Sequence, residues 1–387
     1  MSKTYLNGPI NVARLEGHIG STPKVIYLFM DRHDPITIQT QCTQLSSIDI
    51  NKYLFNTFKE LRDSDKTYDF FMEVHPFEIA SSYSKRSYEK RDIYIEEVVK
   101  LFIKLFRFDN DANKIKINEM FTNIRLHYLD IRYYLRMVDR DEANLYSIAS
   151  SINRNNISPN HVKRMTAIWK RIRSKIRLVI DLFDSSEDVG KQIVVKKRSR
   201  EYPDIKTAIY LARKMKDQYT HQDVKKILNE NLRSILLDGE EIVRSIDSML
   251  VRYESGCSSA EAFVQHAVHH AALRQTACID GREVLDDLDD IGALMVDFYA
   301  RLTDIFMLRR FLDKDYITNA IVYSGSSHSE HYIDILVNRF GFKITHVANA
   351  DQSLDEIENE VREGFAMDLF ERRGQCSDLT HFPIHFL

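Results

Sequence analysis

The chain has 387 residues, with 54 Lys and Arg against 57 Asp and Glu and a formal net charge of −3, which excludes a chain-wide basic surface for nucleic acid or acidic membranes. Its 44% hydrophobic and 29% charged content excludes a disordered or low-complexity chain and leaves enough apolar mass for a sizeable core. Only 12 glycines and 7 prolines point to long helices with few irregular connections.

Cys42, Cys257, Cys278 and Cys376 lie far apart with no CxxC pair. That usage predicts neither a disulfide framework nor a zinc ribbon and suits a reducing compartment. Residues 1–18 contain no apolar signal core, and no run approaches the ~18 apolar residues of a membrane span. The expectation is a soluble, intracellular protein.

In chain order, Lys24-Val-Ile-Tyr-Leu-Phe-Met30 reads as a buried strand that stops at the polar cluster Asp31-Arg-His33-Asp-Pro35. A helix pattern follows over 48–61. A second buried strand, Tyr68–Val74, carries Glu73 and ends at His75-Pro76. Strand, helix, strand is the order of a parallel βαβ unit.

The middle of the chain, 80–317, is mainly helical by period, with helices expected near 91–106, 160–181, 203–217 and 221–253. Ile291, Leu294, Met295, Phe298, Leu302, Ile305 and Phe306 recur as one helix face. Within this region, 123–130 alternates like a strand, with Asp130 at its end and Arg132 beyond it.

Near the C-terminus, Thr318–Tyr323 reads as a strand broken at Ser324-Gly325-Ser-Ser-His328. A helix from Glu330 to Phe340, stopped by Gly341, and a strand over 342–347 follow. The predicted fold is α/β: a parallel-type sheet core built from 1–79 and 318–387, joined by the strand near 123–130. Residues 80–317 form a large, mainly helical insertion.

Ligands of open α/β sheets sit outside the carboxyl ends of the strands. Four predicted strands end there in polar groups: Asp31 and His33; Glu73 and His75; Asp130 and Arg132; and Ser324 through His328. In an extended chain, Asp31 and His33 share a face. Asp31, His33 and His328 are candidate ligands for a divalent metal that would activate water. Alternatively, His33 or His328 acts as a metal-free base tuned by Asp31 or Glu73. His33, His328 and Glu73 are the candidate catalytic residues.

Phe29-Met-Asp-Arg-His33 and Tyr323-Ser-Gly-Ser-Ser-His328 resemble the paired motifs of the erythromycin esterase, ChaN and TraB superfamily: GExH or GxxH after the first strand, and GxxH after a late one. Met30 stands where that motif has glycine, and Asp31 where it has glutamate. The chain also resembles a group of uncharacterised proteins of nucleocytoplasmic large DNA viruses. The segments that carry this are Asp31-Arg-His33, Gln39-Thr-Gln-Cys42, His127-Tyr-Leu-Asp130-Ile-Arg132 and Gly325-Ser-Ser-His328. The superfamily resemblance implies a histidine-based esterase, a metal-dependent protease or a heme-binding protein, with His33 and His328 as the paired site histidines. The viral resemblance implies host cytoplasm or virion.

Other features have blander readings. His266 and His270 are four apart on a helix face, without the glutamate of HExxH. Lys196-Lys-Arg-Ser-Arg200 reads as a solvated loop. The basic face of 160–181, beside the apolar stripe Ile168, Ile172 and Ile176, is either solvated or meets an acidic partner. Cys42 reads as a buried structural cysteine, and His331 as exposed on the first turn of its helix.

Two functions compete. One is a hydrolase-like enzyme acting on a small-molecule or peptide substrate. The other is a non-catalytic viral structural or interaction protein that retains a degenerate enzyme fold and binds a protein partner through the helical insertion.

Overall fold

A computed structural model describes residues 4–36, 42–44, 46–74, 93–106, 108–109, 114–115, 118–135, 138–151, 159–184, 205–266, 281–364, 367–370, 374–383 and 386. The chain divides into two units. One takes residues 1–131, 219–227 and 303–387; the other takes 132–218 and 228–302.

The first unit is built on a mixed six-stranded sheet. Its strands are β2 (Asn11–Ile19), β3 (Thr22–Asp31), β5 (Tyr68–Met72), β6 (Ile124–Tyr128), β7 (Asn319–Gly325) and β8 (Lys343–Val347), in the order β8-β2-β3-β7-β5-β6. β3, β7, β5 and β6 pair in parallel. β2 is antiparallel to both β3 and β8, so β8 runs the same way as the parallel block. The βαβ direction expected from the C-terminal segment is kept, but β3 and β2 lie between its two strands.

The sequence reading missed β2 altogether. It forms a hairpin with β3 through the two-residue turn Gly20-Ser21, where Gly20 takes φ +57°. Two of its polar residues, Asn11 and Arg14, hide the strand because they are buried with partners. Arg14 Nε donates to the Tyr27 hydroxyl at 2.8 Å and its Nη1 to Thr345 Oγ1 at 2.7 Å.

Both faces of the sheet are covered, which is why its parallel strands read as continuous apolar runs. On one face Tyr27, Phe29, Phe70, Met72, Ile321 and Tyr323 pack in a single core with helices α1 (Ile50–Glu60) and α2 (Tyr94–Leu105) through Leu54, Phe58, Val98 and Phe102. α2 therefore belongs to the sheet unit, although the boundary expected at residue 80 assigns it to the helical part. A small second sheet, β9-β1-β4, joins Cys376–Asp378, Tyr5–Asn7 and Ile48–Asp49.

The second unit is helical. It includes α3 (Asp139–Ser151), α4 (Pro159–Asp184), α5 (Ile205–Asp217) and the greater parts of α6 (Gln222–His266) and α7 (Gly281–Asp313). Ile168, Ile172 and Ile176 are buried as their four-residue spacing predicts, with Trp169 beside them. The basic face of α4 finds its acidic partner within the chain. Lys170 pairs with Glu254 at 2.7 Å, and Arg173 and Arg177 pair with Asp247 and Glu240, all on α6. Lys175 and Arg171 share the buried Asp141 of α3. On α7 the predicted apolar face holds except at Leu294, which is 46% exposed.

His75, Lys196–Arg200 and His270 lie outside the described residues, as does the side chain of His266.

Candidate functional site

The parallel strands β3, β7 and β5 end at one edge of the sheet, with Asp31 in register with Gly325 and Met72 with Tyr323. From β5 the chain leads through α2 to β6. From β7 it leads through α8 (Ser326–Phe340) to β8, at the opposite end of the strand order. The boundary between β5 and β7 is thus a switch point, where crevices form at strand ends.

Glu73 enters this crevice from the end of β5. One of its oxygens, Oε2, accepts the Gly325 amide at 2.8 Å and stands 3.6 Å from His33 Nε2; the other, Oε1, stands 3.3 Å from His328 Nε2. Behind each ring stands a second carboxylate. Asp31 Oδ1 is 2.9 Å from His33 Nδ1, and Asp304 Oδ1 is 2.6 Å from His328 Nδ1. Asp31, His33, Glu73 and His328, which the sequence places at three different strand ends, therefore stand together.

The Asp-x-His spacing works through a turn rather than through an extended chain. His33 has φ +60°, a left-handed conformation uncommon for a side-chain-bearing residue. Asp31 Oδ1 holds it there by accepting the His33 amide at 2.6 Å. The other Asp31 oxygen accepts the buried Tyr323 hydroxyl at 2.5 Å. With Asp31 1% exposed and both oxygens engaged, it stands behind His33 as a support.

Gly325 has an ordinary extended backbone, φ −55° and ψ 149°. Its requirement is space. A Cβ at this position would lie 3.1 Å from His33 Nε2 and 3.5 Å from Glu73 Oε2. Met30, near the end of β3, is wholly buried.

Two participants escaped the sequence reading. Asp304 lies on α7, remote in sequence and 1% exposed, and uses one oxygen for each of two histidines. The second is His331, whose Nδ1 is 2.7 Å from Asp304 Oδ2. His331 was expected on an exposed first turn, but α8 begins at Ser326, so it sits one turn deeper and 30% exposed. The three-residue spacing of His328 and His331 was the available signal, since such pairs share a helix face.

Burial opposes charge on His33, but its hydrogen bonds and proximity to Asp31 and Glu73 outweigh that, and its pKa is pushed up to about 10. His328 behaves likewise. Burial is again the largest single effect, yet Asp304 and Glu73 together raise its pKa well above the ordinary value, even in the first turn of a helix. Burial pushes Asp304 upward, and the two histidines more than reverse this, so its pKa is lowered. The site is an alternating row of carboxylates and imidazoles, with His33, 41% exposed, at its open rim.

Among the described residues, no group of three or more His, Cys, Asp or Glu side chains takes the arrangement of a metal centre. The groups around Glu73 are paired with one another.

Asp130 follows β6, and its amide donates to the Val74 carbonyl. His127 belongs to a different cluster. It contacts Asp69 at 2.6 Å and accepts from Arg310 Nε at 3.0 Å. Burial lowers its pKa and outweighs the Asp69 hydrogen bond, so it serves as a neutral acceptor.

Residues 4–387 match the model of a family described as "Family of unknown function (DUF5847)". The chain belongs to this family. Similar proteins come from Acanthamoeba polyphaga mimivirus. "Uncharacterized protein R706" is 37% identical over 98% of this chain and 96% of its own length. "Uncharacterized protein R161" and "Uncharacterized protein R160" are each 32% identical, over 98% and 99% of this chain and 98% and 97% of their own lengths. No solved structure matches the chain. Among the described residues, no helix is long and apolar enough to cross a membrane.

Proposed function

We propose that this chain is a hydrolase-like protein whose His33–Glu73–His328 site performs acid–base chemistry at the carboxyl edge of the sheet. The observation that carries the reading is that two imidazoles flank one carboxylate, each backed on its far nitrogen by a second, buried carboxylate. Such backing fixes ring orientation and tautomer, as catalytic histidines require.

The 3.6 Å separation of His33 from Glu73 is the loosest contact in the row and lies at its exposed end. There a substrate oxygen or an attacking water would enter. Glu73 would take the proton from water. His33, held protonated by its two carboxylates, would give a proton to the leaving group or face the oxyanion. His328, locked by Asp304, would orient Glu73. In this reading His33 is an acid at neutral pH rather than the base expected from the motif.

A divalent metal here would be held by His33 Nε2, His328 Nε2 and Glu73, with Asp31 and Asp304 behind the rings. It would have to displace the protons on both histidines. When bound it would supply Lewis-acid activation of water.

The test is hydrolysis of a panel of ester, amide and phosphoester substrates by wild type, Glu73→Gln and His33→Gln, each with and without chelator. Turnover that falls at least 100-fold in both variants supports the site, a drop of the size general acid–base groups contribute. Turnover unchanged in both variants rejects it. Loss on chelation selects the metal-assisted form.

A further inference from the structure

We propose that the Cys42–Cys376 disulfide is a redox-controlled latch that holds the chain returning from His33 against the C-terminal strand. The cysteine spacing predicts no disulfide framework and suits a reducing compartment, but the structure joins Cys42 to Cys376 across 334 positions of sequence. This bond corrects that expectation and sits where it can govern the site. Cys42 follows His33 in the connection between β3 and β4, and Cys376 opens β9 in the small sheet beside β1.

Among the described residues, the side-chain hydrogen bonds that tie Cys42 and the approach to β4 to β1 run through Asn7. Asn7 of β1 accepts the Cys42 amide on Oδ1 at 2.9 Å, and its Nδ2 donates to Asp49 Oδ1 at 3.1 Å and toward Ser47 Oγ at 3.4 Å. Among the described residues, β1 and β4 pair through Leu6 with Ile48 and Asn7 with Asp49.

Next to Cys376, Gln375 is 1% exposed; its backbone carbonyl accepts the Gly8 amide, while its side-chain Nε2 and Oε1 have no hydrogen-bond partner among the described residues. The buried Gln44 Oε1, two residues from Cys42, likewise has none. The covalent bond adds a constraint that these hydrogen bonds do not supply. Both cysteines are partly exposed, so a small reductant can reach them.

The step is a two-electron exchange. A dithiol reductant attacks the disulfide, the Sγ–Sγ bond breaks, Cys42 and Cys376 each become a thiol, and the reductant becomes a disulfide. With the bond gone, β9 and β4 lose their covalent tie. The Asp31 turn that holds His33 then loses the covalent anchor that follows it in the chain at Cys42.

The test uses the full chain, oxidised and after dithiothreitol, alongside Cys42→Ser and Cys376→Ser. Alkylation with mass spectrometry counts thiols. Hydrogen exchange follows β1, β4, β9 and, as internal control, β7. NMR follows the His33 ring. The proposal predicts no reactive thiol at positions 42 and 376 before reduction. On reduction, exchange in β4 and β9 rises at least tenfold while β7 is unchanged, and the His33 resonances shift. Fully alkylated Cys42 and Cys376 in untreated protein would overturn it. So would exchange indifferent to reduction, or a His33 ring that stays put while β9 opens. None of these readouts involves substrate, so failure of the hydrolase reading and failure of the latch are told apart.

Discussion

Replacing Asp304 with asparagine isolates the support behind His328. Asp304 is 1% exposed and divides its oxygens between His328 at 2.6 Å and His331 at 2.7 Å. Asparagine keeps the shape and one acceptor, so one histidine stays bound while the other faces an NH2 donor. Breaking one partner of a buried ion pair costs about 3–5 kcal/mol, and the retained acceptor puts this case at about 3 kcal/mol. The sole tryptophan, Trp169, lies in the helical unit, so its fluorescence reports the wrong part of the chain. Hydrogen exchange of the β7 amides is the suitable assay, and about 3 kcal/mol corresponds to about 150-fold faster exchange through opening of the sheet unit.

The pH dependence has a definite sign. His328 has a raised pKa, so its contribution is complete below the ordinary value of 6.5 and is lost as pH rises through the folded pKa. Asp304 has a lowered pKa, so its contribution is complete above 3.8 and is lost as pH falls through the folded pKa. The difference between wild type and variant is therefore largest between about pH 4 and 6.5. An effect under about threefold at pH 6, or one that grows toward alkaline pH, would refute the assignment of Asp304 as a charged clamp.

Gly325→Ala tests crowding at the site. Its backbone accepts alanine, but the added Cβ meets His33 Nε2 at 3.1 Å. Stability in urea should drop by no more than about 1 kcal/mol, while a crystal structure shows His33 displaced by a few tenths of an ångström; an unmoved ring would contradict this. Lys24→Met removes the ammonium that donates to the carbonyls of Phe311, Lys314 and Ile317 at 2.8–2.9 Å. The Lys314 carbonyl keeps the Ile317 amide, but the buried carbonyls of Phe311 and Ile317 lose this donor, which should cost about 3 kcal/mol in urea unfolding; a change below about 0.5 kcal/mol would reject this role for Lys24. Cys42→Ser opens the loop of 334 positions and should lower stability by up to about 5 kcal/mol on the chain-entropy account. The same loss should appear in wild type under reductant and not in the variant.

The strands carrying the site were legible because both sheet faces are covered. Burial on both sides writes Tyr68–Met72 and Lys24–Met30 as apolar runs with abrupt polar ends, and those ends hold Asp31, His33 and Glu73. β2 escaped because its Asn11, Arg14 and Glu16 interrupt the pattern. Asn11 and Arg14 are buried against partners that sequence spacing does not reveal, and only the two-residue Gly20-Ser21 turn marked the hairpin. Asp304 escaped for another reason. It sits on a helix crowded with acidic residues, and what sets it apart is that it faces His328 rather than water. The Cys42–Cys376 pairing is a product of the small sheet, whose strands are two or three residues long and leave little periodicity to read.

The most direct test of a single coupled site is NMR titration of the His33 and His328 rings in wild type and in Glu73→Gln. Wild type should show His33 titrating near pH 10 and His328 protonated well past neutrality. Both should shift downward together when the shared carboxylate loses its charge. Two rings titrating independently near 6.5, indifferent to Glu73→Gln, would contradict the account.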